Sequence, residues 1–145
     1  MLRLALLFLA LSFSLHAEAK DHQCSGSKDE LRCVLRFHSS IYQENPEYFW
    51  RVLNQSRNKA ESCNSVKATA DFLRTAMLRN ENAELQEFVS EGVETLCAKK
   101  PACFRRSLQL LDGKSRAAVR EKLKNPLYFD TEELSCVTSK SKVHR

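Results

Sequence analysis

Glycine and proline are scarce in this chain, which contains three of each in 145 residues. A β-sandwich or β-barrel needs many tight turns, and such turns are built largely from these two residue types. Residues that favour helices, above all Ala, Leu, Glu, Lys and Arg, are plentiful. We therefore predict an all-α fold.

Sequence motifs for metals, cofactors and catalysis are also missing. The chain has no C-x-x-C pair, so zinc ribbons and c-type haem sites are not indicated. It contains no P-loop, dinucleotide fingerprint, H-E-x-x-H, G-x-S-x-G or calcium-loop pattern. We expect no metal, no cofactor and no catalytic residues. The least favoured alternative is an unrecognised hydrolase whose site would include His38. This histidine falls within the apolar stripe of a predicted helix.

Only one apolar run is long and free of charge, at residues 4–14. It follows Arg3 and is followed by an A-x-A site at residues 17–19, which together indicate a signal peptide over residues 1–19. The run is shorter than the roughly 20 residues that span a bilayer, and no later run is long enough, so we expect no transmembrane segment in the mature chain. The predicted location is secreted or periplasmic.

The cysteines are even in number and all follow the predicted leader, which favours a disulfide framework in an exported protein. Their spacings are irregular, unlike those of zinc sites. We therefore expect three bridges among Cys24, Cys33, Cys63, Cys97, Cys103 and Cys136.

Apolar residues recur at helical spacing over most of the chain after the leader. They predict a compact array of about six to seven short amphipathic helices in one domain, residues 20–137. The polar stretch from Asn54 to Glu61, which begins with an N-glycosylation sequon, predicts a loop. Residues 138–145 are basic and rich in Ser and Lys, and we predict that they form a disordered tail.

Two of the stripes, residues 63–77 and 85–97, are separated by a short turn and predict an antiparallel helical hairpin. Cys63 and Cys97 would then lie at matching distances from the turn, so we predict that they pair. Two bridges, Cys24 to Cys33 and Cys103 to Cys136, complete the predicted set.

A weak internal repeat, F-x-R-[TS]-x-x-L, begins at Phe72 and again at Phe104. It leaves open an arrangement of stacked hairpins like that of an α-solenoid, although two amphipathic helices can share such a pattern by chance.

Charge is segregated along the second half of the chain. From residue 80 to 98 every charged residue is a glutamate, and helical spacing predicts that Glu84, Glu87, Glu91 and Glu94 share one exposed face. From residue 99 to 124 nine basic residues oppose two acidic ones. The candidate surface for an anionic partner consists of Lys99, Lys100, Arg105, Arg106, Arg116, Arg120 and Lys124.

These features favour a non-catalytic exported binding protein that engages an acidic protein or an anionic envelope component. The simpler alternative is that the basic residues only keep the protein soluble. Self-association of the acidic face with the basic face is a third interpretation. A carrier of small apolar ligands, with a site lined by Trp50, Phe72, Phe88 and Phe104, is a fourth.

Overall fold

The computed structural model describes residues 24–78 and 82–138, and all regular structure within them is helical, which confirms the all-α prediction. The predicted signal peptide lies outside the described residues, as does the predicted tail apart from Thr138. The helices are α1 (Glu30–Arg36), α2 (His38–Glu44), α3 (Pro46–Ser62), α4 (Val66–Leu73), α5 (Ala83–Lys99), α6 (Pro101–Gln109), α7 (Gly113–Lys124) and α8 (Ser135–Thr138), and a 3₁₀ turn at Arg74–Met77 follows α4.

Side-chain caps mark the start of most of these helices. Asn45 accepts the backbone N–H of Tyr48, and Pro46 occupies the first turn of α3. Ser65, Asn82 and Asp112 cap α4, α5 and α7 in the same way. Each cap provides an acceptor for an amide that has no partner within its own helix, and so fixes where that helix begins.

The stretch from Asn54 to Glu61 is helical, so the predicted loop and the placement of its sequon in a loop are both wrong. Asn54 and Lys59 are exposed on α3, whereas Ala60 is fully buried. The polar residues there form the solvent face of a long amphipathic helix. Because no glycine or proline interrupts them, the helix continues to Ser62.

Helix α5 lies at the centre of the fold and contacts α3, α6, α7 and α8. Its apolar stripe, which includes Leu85, Val93 and Leu96, is fully buried. Gly92 allows the side chain of Phe72 to approach closely, because a Cβ atom at this position would lie 2.5 Å from Cζ of Phe72. The side chain of Phe72 therefore packs directly against the α5 backbone.

The disulfides differ from the predicted set in two of three cases. Cys24 pairs with Cys33, as predicted. Cys63 pairs with Cys103 and Cys97 pairs with Cys136, so the predicted Cys63–Cys97 and Cys103–Cys136 bridges are wrong. Along the sequence the two long disulfide loops overlap, because Cys97 lies inside the loop closed by Cys63 and Cys103.

The packing of α4 explains why the predicted bridge does not form. Helix α4 has eight residues and α5 has seventeen, and α4 packs mainly on α3 and α6 rather than lying along α5. The end of α3 that carries Cys63 therefore lies beside the start of α6, where the Cα atom of Cys103 is 6.4 Å away. Cys97 instead holds Cys136 of α8 at a Cα separation of 4.9 Å.

Candidate functional site

The seven basic residues predicted to meet an anionic partner are all solvent-exposed. Lys99 and Lys100 lie where α5 meets α6, and Arg105 and Arg106 are on α6. The other three form what we call the cationic row, because they follow one another at intervals of four residues on α7 and so share one side of it. The cationic row consists of Arg116, Arg120 and Lys124.

Most of these cations have no ionic partner within the described part of the chain. Lys124 pairs with Glu121 at 2.6 Å, and the Lys99 ammonium lies 5.9 Å from the centre of the Phe129 ring. Arg105 donates to the carbonyl of Ser135 at 3.4 Å. Four of the seven, however, form no ion pair with a described carboxylate: Lys100, Arg106, Arg116 and Arg120.

Carboxylates that could neutralise these cations are engaged elsewhere. Glu91 accepts a hydrogen bond from Arg57 at 2.8 Å, and this bond lowers the pKa of the glutamate. Asp112 caps α7, and its hydrogen bonds from Ser115 lower the pKa of the aspartate. The positive charge of α6 and α7 therefore remains largely available to a partner.

The predicted acidic face of α5 is only partly correct. Glu84 and Glu87 are exposed and Glu91 is half-buried, but Glu94 is fully buried. Glu94 has a buried position because the connection after α7 crosses α5 at this point and covers it.

The carboxylate of Glu94 binds three consecutive backbone amides of that connection. Its Oε1 accepts the N–H of Leu127 at 2.9 Å, and its Oε2 accepts those of Tyr128 at 2.8 Å and Phe129 at 3.2 Å. A run of backbone N–H groups directed at one anion compensates for the desolvation of a buried carboxylate. We call residues 125–130 the anchor loop, because this contact fixes its path.

Two apolar side chains of the anchor loop face solvent although their backbone is fixed. Leu127 is 65% exposed and Tyr128 is 46% exposed. Partial burial and the nearby carboxylates of Glu87 and Glu91 raise the pKa of Tyr128. Phe129 is half-buried and packs against the core.

Lys122 links α7 to α5. Its ammonium donates to Oε1 of Gln86 at 2.6 Å, and burial lowers the pKa of Lys122. Gln86 in turn donates to the carbonyl of Leu78 at 2.9 Å. These bonds hold α7, α5 and the chain after the 3₁₀ turn in one unit, so the cationic row is carried on a fixed helix.

The aromatic residues proposed to line a ligand site pack against other residues of the core. Phe72 and Phe104 are fully buried. Trp50 contacts Phe88 edge-to-face with ring centres 5.4 Å apart, and Phe88 contacts Phe72 in the same manner at 6.4 Å. Arg57 covers the Phe88 ring at 5.2 Å. These contacts are those expected of core residues, so none of them favours a carrier function.

The histidine and cysteine side chains that the structure describes take part in structural contacts. His38 is half-buried, and its Nδ1 lies 3.1 Å from the carbonyl oxygen of Leu35. All six cysteines are in disulfides. Within the described ranges no group of three or more potential metal ligands is assembled, and no helix is long and apolar enough to cross a bilayer.

Comparisons with family models, curated proteins and solved structures each find no match to this chain. The candidate sites therefore rest on the geometry of the chain itself. The buried Glu94 and the anchor loop are the features that the sequence did not indicate. The signal that could have indicated them is the apolar triplet at residues 127–129, which fits no helical stripe and follows the Asn125-Pro126 break.

Proposed function

We propose that this protein is an exported, non-catalytic binding protein that engages an anionic partner through the basic side chains of α6 and α7. The partner would be an acidic protein or an anionic component of the cell envelope. Three disulfides in a chain of this size fit an oxidising compartment outside the cytoplasm. The predicted signal peptide leads to the same compartment.

The observation that carries this proposal is the excess of cations that have no ionic partner. Arg116 and Arg120 are exposed, one helical turn apart, and free of ion pairs with the described carboxylates. If the basic residues served only to keep the protein soluble, the interspersed acids would be expected to pair with them. Here Glu121 pairs with Lys124, whereas Asp112 caps α7, Glu91 pairs with Arg57 and Glu94 binds the anchor loop.

The strength of such binding comes from the number of cations that act together. One exposed ion pair contributes little, because water and salt screen it. Each Lys or Arg held close to an anionic lipid surface contributes about 1 kcal/mol. A group of several therefore gives binding that weakens steeply as the salt concentration rises.

Charge reversal at the cationic row tests this proposal. We expect Arg116→Glu together with Arg120→Glu to weaken binding by at least about 2 kcal/mol, or roughly 30-fold. Binding is measured at several salt concentrations on vesicles that contain phosphatidylglycerol, on neutral phosphatidylcholine vesicles and on immobilised polyglutamate. The vesicle and polyglutamate arms distinguish an anionic envelope surface from an acidic protein.

The matched control is Lys28→Glu together with Arg36→Glu, which changes the net charge equally at exposed positions before and on α1, away from α6 and α7. We expect this control to retain most of the binding. If both double variants lose the same affinity, only net charge matters and the proposed surface is wrong. If the unmodified protein binds none of the anionic probes at low salt, the proposed function itself is wrong.

A further inference from the structure

Asn54 belongs to the one N-glycosylation sequon of the chain, Asn54-Gln55-Ser56. Of the seven asparagines, no other is followed two positions later by a serine or a threonine. A three-residue pattern often occurs by chance. It identifies a modified residue only if the fold can accommodate a sugar at that position and if the enzyme can reach the chain in a suitable form.

The folded protein leaves room for a sugar at Asn54. The residue is exposed on the solvent face of α3, as are Arg51, Gln55 and Asn58 around it. Within the described residues its side chain makes one hydrogen bond, from Nδ2 to the carbonyl oxygen of Trp50 at 2.9 Å in the same helix. An asparagine amide has two N–H donors, and N-glycosylation replaces one of them. The remaining donor can keep this bond, so a glycan is compatible with the helix.

The same helix separates the two residues that a glycosylating enzyme must read together. Asn54 and Ser56 are two positions apart, and side chains at this spacing do not face each other on a helix. Asn54 is exposed, whereas Ser56 is half-buried and lines a cleft with Leu31 of α1 and Ala68 of α4. Because the sequon requires both the amide and the hydroxyl group, the enzyme needs this segment in a non-helical form. Transfer of a sugar to Asn54 must therefore precede the formation of α3.

The order of the elements along the chain leaves time for this step. Helix α3 buries Phe49, Val52 and Leu53, and its partners include α4 and α5, which follow it in the chain. Helices in proteins owe most of their stability to such packing rather than to their own residues. The disulfide at the end of α3, between Cys63 and Cys103, also needs a cysteine of α6. During export from the N-terminal end, the sequon thus emerges before the elements that hold it in a helix.

We propose that Asn54 is an acceptor of an N-linked glycan that is added during export, before α3 forms. The donor is an oligosaccharide carried on a polyisoprenyl diphosphate. Nδ2 of Asn54 loses a proton and forms a bond to the anomeric carbon of the sugar, while the bond from that carbon to the diphosphate breaks and polyisoprenyl diphosphate leaves. Addition of the glycan rests on the export included in the proposed function, but it does not require the basic side chains of α6 and α7.

Secretion of the full chain from cultured animal cells tests this proposal. We expect the secreted protein to lose mass on treatment with peptide N-glycosidase, and peptide mass spectrometry should locate the site at Asn54. Asn54→Gln and Ser56→Ala should each abolish the glycan, because each removes one half of the sequon, whereas Ser56→Thr should keep it. The matched control is Asn58→Gln at an exposed position one turn later on α3, which should leave the glycan in place. A secreted protein with unmodified Asn54 overturns the proposal, as does a glycan that persists in the Asn54→Gln variant.

The timing is tested with chain made in bacteria without the glycan and with detergent-solubilised membranes that contain the donor and its transferase. The reduced and alkylated chain should be modified at Asn54, whereas the oxidised, folded protein should stay unmodified over the same time. Equal modification of both forms would overturn the proposed order of events.

Failure of export is distinguished from failure of the modification. If the full chain is not secreted, export by its own leader is wrong, and residues 20–145 are then secreted behind an established leader. A glycan at Asn54 of that protein supports the modification, and its absence overturns it.

Discussion

At the scale of single residues, Glu94 determines how the end of the domain is held. Both of its oxygens accept backbone hydrogens from the anchor loop, and its side chain is fully buried. Gln86 and Lys122 have a related role on the same side of α5, where they join it to α7. The connection after α7 thus depends on polar contacts to α5 as well as on apolar burial.

We expect Glu94→Gln to lower the free energy of unfolding by about 3 kcal/mol. Glutamine keeps the size of the side chain but loses the charge-assisted bonds and turns an N–H donor toward backbone donors. Urea denaturation measures the loss, and hydrogen exchange should be faster at the amides of residues 127–129. The matched control is Glu87→Gln on the exposed face, which we expect to change stability by less than about 0.5 kcal/mol. Equal effects of the two substitutions would contradict the assigned role of Glu94.

The burial of Glu94 could not be predicted from the helical pattern of α5. Ser90, Glu94 and Cys97 follow each other at intervals of four and three residues and are all buried, but a Ser and a Glu in a helix usually mark a solvent face. What buries Glu94 is a segment more than thirty residues later in the sequence. Local periodicity carries no information about that contact.

At the scale of the helices, the predictable features are those that depend on neighbouring residues. Asn45-Pro46 and Pro101 begin helices as their backbone preferences dictate. The end of α3 was missed, because its last turns are polar and resemble a loop. The residue that ends this helix, Cys63, has a left-handed backbone with φ of 55°, a conformation that glycine usually provides.

The left-handed backbone of Cys63 allows a test that separates two contributions to stability, that of the disulfide and that of the backbone conformation at the end of α3. Removing the bridge with Cys63→Ala and Cys103→Ala should cost about 2 to 4 kcal/mol of unfolding free energy, because the bridge closes a loop with a sequence separation of 40 residues. A second variant, Cys63→Gly with Cys103→Ala, should have an unfolding free energy about 1 kcal/mol higher than the double alanine variant, since glycine adopts the left-handed conformation without a Cβ penalty. Both proteins lack the bridge, so the difference in their denaturation midpoints reports the backbone alone. If the alanine protein proves as stable as the glycine protein, the left-handed conformation is not a source of strain.

At the scale of the whole molecule, composition was enough to predict the all-α class, but not the way in which the helices meet. Few glycines and prolines, together with regular apolar stripes, require helices that bury one face. Which stripes face each other depends on helix lengths and on the 3₁₀ turn at residues 74–77, which change the direction of the chain between α4 and α5. This is why Cys24 and Cys33, which are close in sequence, were paired correctly and the distant cysteines were not.

The overlap of the two long disulfide loops determines what a protease can release. A single cut anywhere between residues 63 and 136 leaves the two pieces joined by at least one disulfide, whereas a cut between residues 33 and 63 separates them. We expect a protease site inserted between α6 and α7 to give one band on a denaturing gel without reductant and two bands with it. The same site inserted between α2 and α3 should give two bands under both conditions, and one band without reductant would contradict the disulfide pairing.

In a compartment that contains proteases, a cut in the part of the chain from α4 to α8 would therefore leave the molecule in one covalent piece. The basic helices α6 and α7 and the anchor loop all lie inside this protected part. The basic side chains of α6 and α7 would thus stay attached to the rest of the chain after such a cut, and the unprotected segment would be the one that carries α2 and all of α3.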